Sequence, residues 1–324
     1  MEESKTADTQ PRLLHYSVAW FAMIMGLLGF AIVWLRAATV LGTPQIVGRV
    51  LLGVAIAALL AVASLYLAKL IRHRHSVLGE LNHPIKRNFF PTISIVLILI
   101  SIAILEDLEG VSFWFWAVGS ALHLFFTIYV MSIWIGRSDL TIAHMNPAWF
   151  IPVVGNILVP IAGVHHASPE ISWFFFSIGL VFWLVLLTIV FYRIIFHDPL
   201  PERLVPTLFI LIAPPAVGFL SYMALTESLD VFARILVYFA MFLTLLLFSL
   251  VRRFGRLKFF ISWWAYSFPM AAMTLATMRL YSKTELAFHL GLVIGLLAVL
   301  SIIILILAVR TVVAVSRREI CVEE

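Results

Sequence analysis

Ten stretches of this chain, each roughly twenty residues long, are nearly empty of Asp, Glu, Lys and Arg: 14–35, 50–68, 88–105, 112–135, 147–166, 171–192, 204–225, 232–250, 259–278 and 287–309. About twenty apolar helical residues cross a hydrocarbon core of about 30 Å. The pattern therefore predicts an all-α polytopic membrane protein with ten transmembrane helices. The third stretch is short because Glu106, Asp107 and Glu109 close it, and all 17 acidic residues lie outside the stretches or at their edges. A water-surrounded globule is excluded, because 63% of the residues are hydrophobic and 12% charged, against about 45–50% and 25% in soluble domains. The runs are unbroken, which favours helices over the ten-residue alternation of barrel strands.

Residues 1–13 are polar, lack the apolar core of a signal peptide, and read as a disordered cytoplasmic tail. The ten-helix domain is expected over 14–314 and a cytoplasmic C-terminal tail over 315–324. With both termini on one side, that side carries 17 Lys and Arg, while the other carries 5: Arg36, Arg49, Arg234, Arg279 and Lys283. Basic loops stay in the cytoplasm, so both termini are expected there. The net charge of +5 is then a product of topology, and nucleic acid is not an expected partner. One cysteine, Cys321, excludes an internal disulfide and a Cys-based zinc site. No HExxH, GxSxG or paired intramembrane carboxylate occurs. Neither catalysis, a metal nor a cofactor is expected.

Each odd-numbered span carries a helix-weakening residue followed three positions later by a small one: Gly26 and Gly29, Pro91 and Ser94, Pro152 and Gly155, Pro215 and Gly218, Pro269 and Ala272. Successive copies stand 65, 61, 63 and 54 residues apart, and even spans have no interior proline. The regularity suggests five copies of one helical hairpin. Proline kinks a helix and frees carbonyls, and broken backbone survives in a bilayer only against protein or a water-filled cavity. The odd helices should therefore line a central passage. The even helices should face lipid or neighbouring subunits. Small residues at this spacing also serve plain helix packing.

Two segments, NPAWFIPVVGNILVPIAG at 146–163 and ISWWAYSFPMAAMTLATMRL at 261–280, resemble the TehA-type tellurite-resistance and C4-dicarboxylate transporter family, which includes plant guard-cell slow anion channels. The resemblance extends over nearly the whole chain. It implies a pseudo-five-fold ring of five hairpins around a central pore, a homotrimer with one pore per subunit, and a phenylalanine of the ninth helix as the plug. Matching SFPM puts that gate at Phe268. The implied substrates are anions, from chloride and nitrate to dicarboxylates, and the expected location is a bacterial inner (plasma) membrane. The long phosphorylated tails of the plant members have no counterpart here.

The residues themselves agree with a gate at 268. Phe268 immediately precedes Pro269, and an aromatic ring at a constriction offers an ion no hydration. An anion in so uncharged a passage would need diffuse positive potential, from half-helix N-termini and from Arg36, Arg279, Arg256 and Lys258 near the mouths. His123 is the clear ionisable residue inside a span and is a possible proton site. Asn156 either contacts the permeating anion or caps the break at Gly155. His165, His166 and the Glu106, Asp107, Glu109 run are read as solvated loops, and Trp114, Trp116, Trp263 and Trp264 as an interfacial belt. The leading expectation is a passive channel for small inorganic anions. The alternative is a secondary transporter or exporter of C4-dicarboxylate or an oxyanion such as tellurite, with or without proton coupling.

Overall fold

The structure, a computed structural model, describes residues 12–320. The expected tail positions 1–11, and Cys321 with the rest of 321–324, lie outside the described residues. The helices are α1 (Trp20–Leu41), α2 (Gln45–Arg72), α3 (Arg74–Asn82), α4 (Thr92–Ile104), α5 (Glu109–Gly136), α6 (Phe150–Val154), α7 (Val159–His166), α8 (Pro169–Phe196), α9 (Ala213–Thr226), α10 (Val231–Ser249), α11 (Val251–Phe254), α12 (Ser267–Thr284) and α13 (Ala287–Ser316). Among the described residues there is no strand.

Nine segments are long and apolar enough to cross a membrane. They match nine of the ten expected stretches to within a few residues. The exception is 259–278, where a 3-10 segment (Ile261–Tyr266) leads into α12. Thr274, Thr277, Arg279, Ser282 and Lys283 on α12 lower its hydropathy. Its position is nevertheless central, packed against α1, α9 and α13.

Odd and even segments differ sharply in burial. In the odd segments that meet the membrane criterion, 56–78% of the apolar window is buried, and in the even ones 17–39%. The even helices α2, α5, α8, α10 and α13 are single runs of 28, 28, 28, 19 and 30 residues. Their outer faces carry exposed side chains such as Leu60, Phe125, Val181, Phe242 and Ile302, as the lipid-facing reading requires. Consecutive pairs α1–α2, α4–α5, α7–α8, α9–α10 and α12–α13 pack on each other. The inner helices also touch in succession, α1–α4, α4–α7, α7–α9, α9–α12 and α12–α1.

The expected mid-helix kinks take another form. In all four proline-bearing odd segments a 3-10 stretch precedes an α-helix, and the proline lies where the second begins. Lys86–Phe89 precedes α4 with Pro91 as its N-cap. Pro147–Trp149 precedes α6 with Pro152 in its first turn. Glu202–Leu211 precedes α9 with Pro215, and Ile261–Tyr266 precedes α12 with Pro269. First-turn N–H groups have no intrahelical acceptor, so a residue without one is tolerated there. The glycine-bearing α1 is one unbroken helix. Gly26 and Gly29 therefore act as packing sites and not as a break.

Beyond the C-terminal end of α2, α3 folds back on the bundle. Lys69, placed by sequence in a loop, is buried and donates through Nζ to Glu80 Oε1 at 3.1 Å and to the Tyr16 carbonyl at 2.8 Å. Tyr66 Oη donates to the other carboxylate oxygen of Glu80 at 2.9 Å.

Candidate functional site

Phe268 is the second residue of α12, just past the 3-10 turn. Two bonds fix that junction: Ser267 Oγ donates to the Trp264 carbonyl at 2.6 Å, and Trp264 Nε1 donates to Thr311 Oγ1 on α13 at 3.0 Å. The facing surface of α1 has no side chains where α12 presses on it. A Cβ on Gly26 would overlap Ser267 Oγ, and one on Gly29 would stand 3.0 Å from Ala271 Cβ and 3.4 Å from Phe268 Cδ2. The MGLLG motif is thus the seat on which the Phe268 turn rests.

Two cavities lie within the inner segments. The larger, about 450 Å³, runs from Phe268 and Gly29 to Arg36, His165, Glu227 and Arg279. Arg279 stands eleven residues beyond Phe268 on α12, a rise of about 16 Å, so this cavity extends toward the C-terminal end of that helix. The smaller, about 70 Å³, is lined by residues including Met25, Phe89, Ile95, Gly155, Pro214, Trp264 and Pro269, and no charged residue lines it. Phe268, Leu158 and Val217 line both cavities and are the residues they share. An aromatic and aliphatic trio therefore stands where the two cavities adjoin.

The other sequence candidates fall into two groups. Gly29, Gly155 and Pro269 border the cavities. Gly26, Pro91, Pro152, Pro215, Gly218, His123 and Asn156 do not. Beside Pro215, it is Pro214 that faces the smaller cavity. His123 is fully buried behind the inner helices, with Nδ1 2.8 Å from Ser94 Oγ and Nε2 without a partner among the described residues. Its ring edge presses on Gly155, where a Cβ would meet Nε2 and Cε1 at 2.5 Å. Asn156 donates to the Val153 carbonyl at 2.7 Å and to Thr127 Oγ1 at 2.9 Å, and Thr127 Oγ1 donates to the Pro152 carbonyl at 2.7 Å. Of the two readings of Asn156, this geometry supports the one in which it caps the break.

Three of the loop and belt readings, those of His166, Trp116 and Trp264, need correction. The acidic run keeps the solvated position expected of it, and within it Glu106 accepts from Arg36 at 2.6 Å and Asp107 from Arg49 at 3.1 Å. His165 borders the larger cavity, and His166 Nε2 lies 2.8 Å from Ser112 Oγ. Trp116 is buried and donates to the Val159 carbonyl at 3.1 Å, and Trp264 is likewise buried. Their indole N–H groups tie helices together. Trp114 stays exposed.

In the 3-10 segment before α4, Arg87, read from the sequence as one of the loop charges, is buried and donates to the Asn82 carbonyl at 2.6 Å. His83 is held below its ordinary pKa by burial, and then by Lys86 and Arg203. Nothing in the sequence marks Leu158 or Val217, each one apolar residue within an apolar run.

Comparison with known proteins gives a consistent result. The model of the voltage-dependent anion channel family, SLAC1, matches residues 15–312. The S-type anion channel SLAH2 of Arabidopsis thaliana is 32% identical over 281 residues, covering 84% of this chain and 54% of that protein. S-type anion channel SLAH3 of the same plant is 29% identical over 313 residues, covering 94% of this chain and 49% of its own length. The chain thus spans about half the length of these plant relatives. An uncharacterized transporter of Methanocaldococcus jannaschii is 24% identical over 296 residues, covering 84% of this chain and 86% of its own.

Proposed function

The chain belongs to the SLAC1 family of voltage-dependent anion channels, and from that premise we propose that it conducts small inorganic anions passively through a pore gated by Phe268. In this reading ten spans form five hairpins in a pseudo-five-fold ring, with α12 and the 3-10 turn before it as the ninth span. The closed succession of contacts among the inner helices supports the ring. Both termini face the cytoplasm, the membrane is a bacterial inner (plasma) membrane, and the protein is a homotrimer with one pore per subunit.

The observation that carries the gate is the meeting of two central cavities at Phe268, Leu158 and Val217. An ion passing there sheds its hydration against hydrocarbon, so the ring is a barrier until it turns aside. On the outer side Arg279 borders the pathway and forms no hydrogen bond or ion pair with the described residues, so its positive charge acts on passing anions. A passage that attracts by diffuse potential discriminates weakly among anions and releases them easily.

The test is Phe268→Ala in planar bilayers. Chloride current should rise at least about tenfold, equivalent to lowering the barrier by about 1.4 kcal/mol. An unchanged current through folded protein refutes the gate. The coupled alternative, export of C4-dicarboxylate or tellurite, predicts that an opposing pH gradient drives anion accumulation in liposomes. Passive flow predicts none, and the absence of His123 from both cavity walls favours passive flow.

A further inference from the structure

We propose that a third cavity, at the cytoplasmic end of α1 and α13, binds a multiply charged phosphate group, carried by an anionic lipid such as cardiolipin or by a free polyphosphate. Its volume is about 710 Å³, and it shares no lining residue with the two central cavities. Arg203, Lys258, Arg310 and Arg317 line it. Among the described residues the one acidic side chain on its wall is Glu319, 4.0 Å from Arg317. Leaving Arg203 aside, Lys258, Arg310 and Arg317 exceed that single carboxylate by two positive charges. A chloride or nitrate balances only one of them, whereas adjacent phosphates carry the matching charge, and guanidinium forks fit phosphate oxygens two at a time.

The position of α13 favours a ligand at the membrane surface. Its 30 residues extend about 45 Å, well beyond a hydrocarbon core of about 30 Å, so the last turns emerge among headgroups. Arg310 and Arg317 are seven residues apart, two turns along one face. Phe260 and Trp263 add an aromatic wall of the kind that sits at headgroup level. Basic pockets between transmembrane helices on the cytoplasmic side hold cardiolipin and phosphoinositide headgroups. That this end is cytoplasmic rests on the orientation proposed above.

The experiment uses the protein in phosphatidylcholine nanodiscs, with and without cardiolipin, and inorganic triphosphate in solution as a separate arm. Saturable binding should appear and weaken about fivefold for each cation removed, and about a hundredfold in Lys258→Gln/Arg310→Gln/Arg317→Gln. All three side chains are exposed, so their removal leaves the core intact. Binding in the lipid arm alone identifies a headgroup, and binding in both arms shows that the phosphates suffice. Absence of saturable binding in both arms, or a triple variant that binds as tightly as the parent, overturns the proposal. The current through Phe268→Ala is read separately, so failure of the gate leaves this result standing.

Discussion

At the scale of single residues, glycines decide how close the inner helices come. Gly155 is the clearest case, because its missing side chain makes room for the buried His123 ring. Adding one methyl at this site should cost about 1–3 kcal/mol, the usual penalty for overfilling a packed core. In a His123→Ala background the same Gly155→Ala change should cost markedly less, since the two closest atoms are gone and what remains is Ile95 Cδ1 at 2.9 Å, the movable end of a flexible side chain. Thermal melts of the parent, the two single variants and the double variant in detergent form a double-mutant cycle for this pair. Additive losses would mean that Gly155 is required for its backbone and not for the ring behind it. His123 itself was visible in the sequence as an ionisable residue in an apolar run, but its partners Ser94 and Gly155 belong to other segments and became apparent only when those segments were packed.

Whole elements show where hydropathy is informative and where it fails. Nine segments could be read from charge-free runs because a bilayer penalises charge irrespective of fold. The tenth expected span differs, since α12 lies inside the bundle and owes its place to packing on α1 and α9, so its own residues include Arg279 and Lys283. Proline positions were legible too, yet not their consequence, because whether a proline kinks a helix or starts one depends on the backbone preceding it. The short helix α3 left no apolar signal. It is held by the buried pair of Lys69 and Glu80, aided by Tyr66. Removing one partner of a buried pair strands the other and costs about 3–5 kcal/mol. Glu80→Ala should therefore release α3, seen as faster amide exchange across residues 74–82, whereas a Lys69→Met/Glu80→Leu double variant should recover much of the protection. Unchanged exchange in Glu80→Ala would show that α3 is held by its apolar contacts.

Across the whole molecule, the sequence reading supplied the sign of the charge at each end but not how much of it is free to act. Of the two arginines bordering the outer cavity, Arg36 is bonded to Glu106 while Arg279 has no such partner. In the proposed pore, attraction for anions at that mouth would rest mainly on Arg279, with Glu227 on the same wall opposing it and part of what Arg36 offers held back by the Glu106 carboxylate. A charge a few ångströms from a hydrated ion is worth about 1 kcal/mol in water, and its reach shrinks from about 30 Å in 0.01 M salt to about 3 Å in 1 M. In the Phe268→Ala background, where passage of the constriction no longer limits flow, Arg279→Gln should lower chloride conductance a few-fold in dilute salt. Glu106→Gln, which frees Arg36, should raise it by a smaller factor. Both differences should fade as salt approaches 1 M, because screening removes a field effect but not a local binding contact. A conductance ratio that stays constant across the salt series would instead assign Arg279 a direct ligand role at a saturable site, and with it a pathway that selects its anion by contact and not by potential.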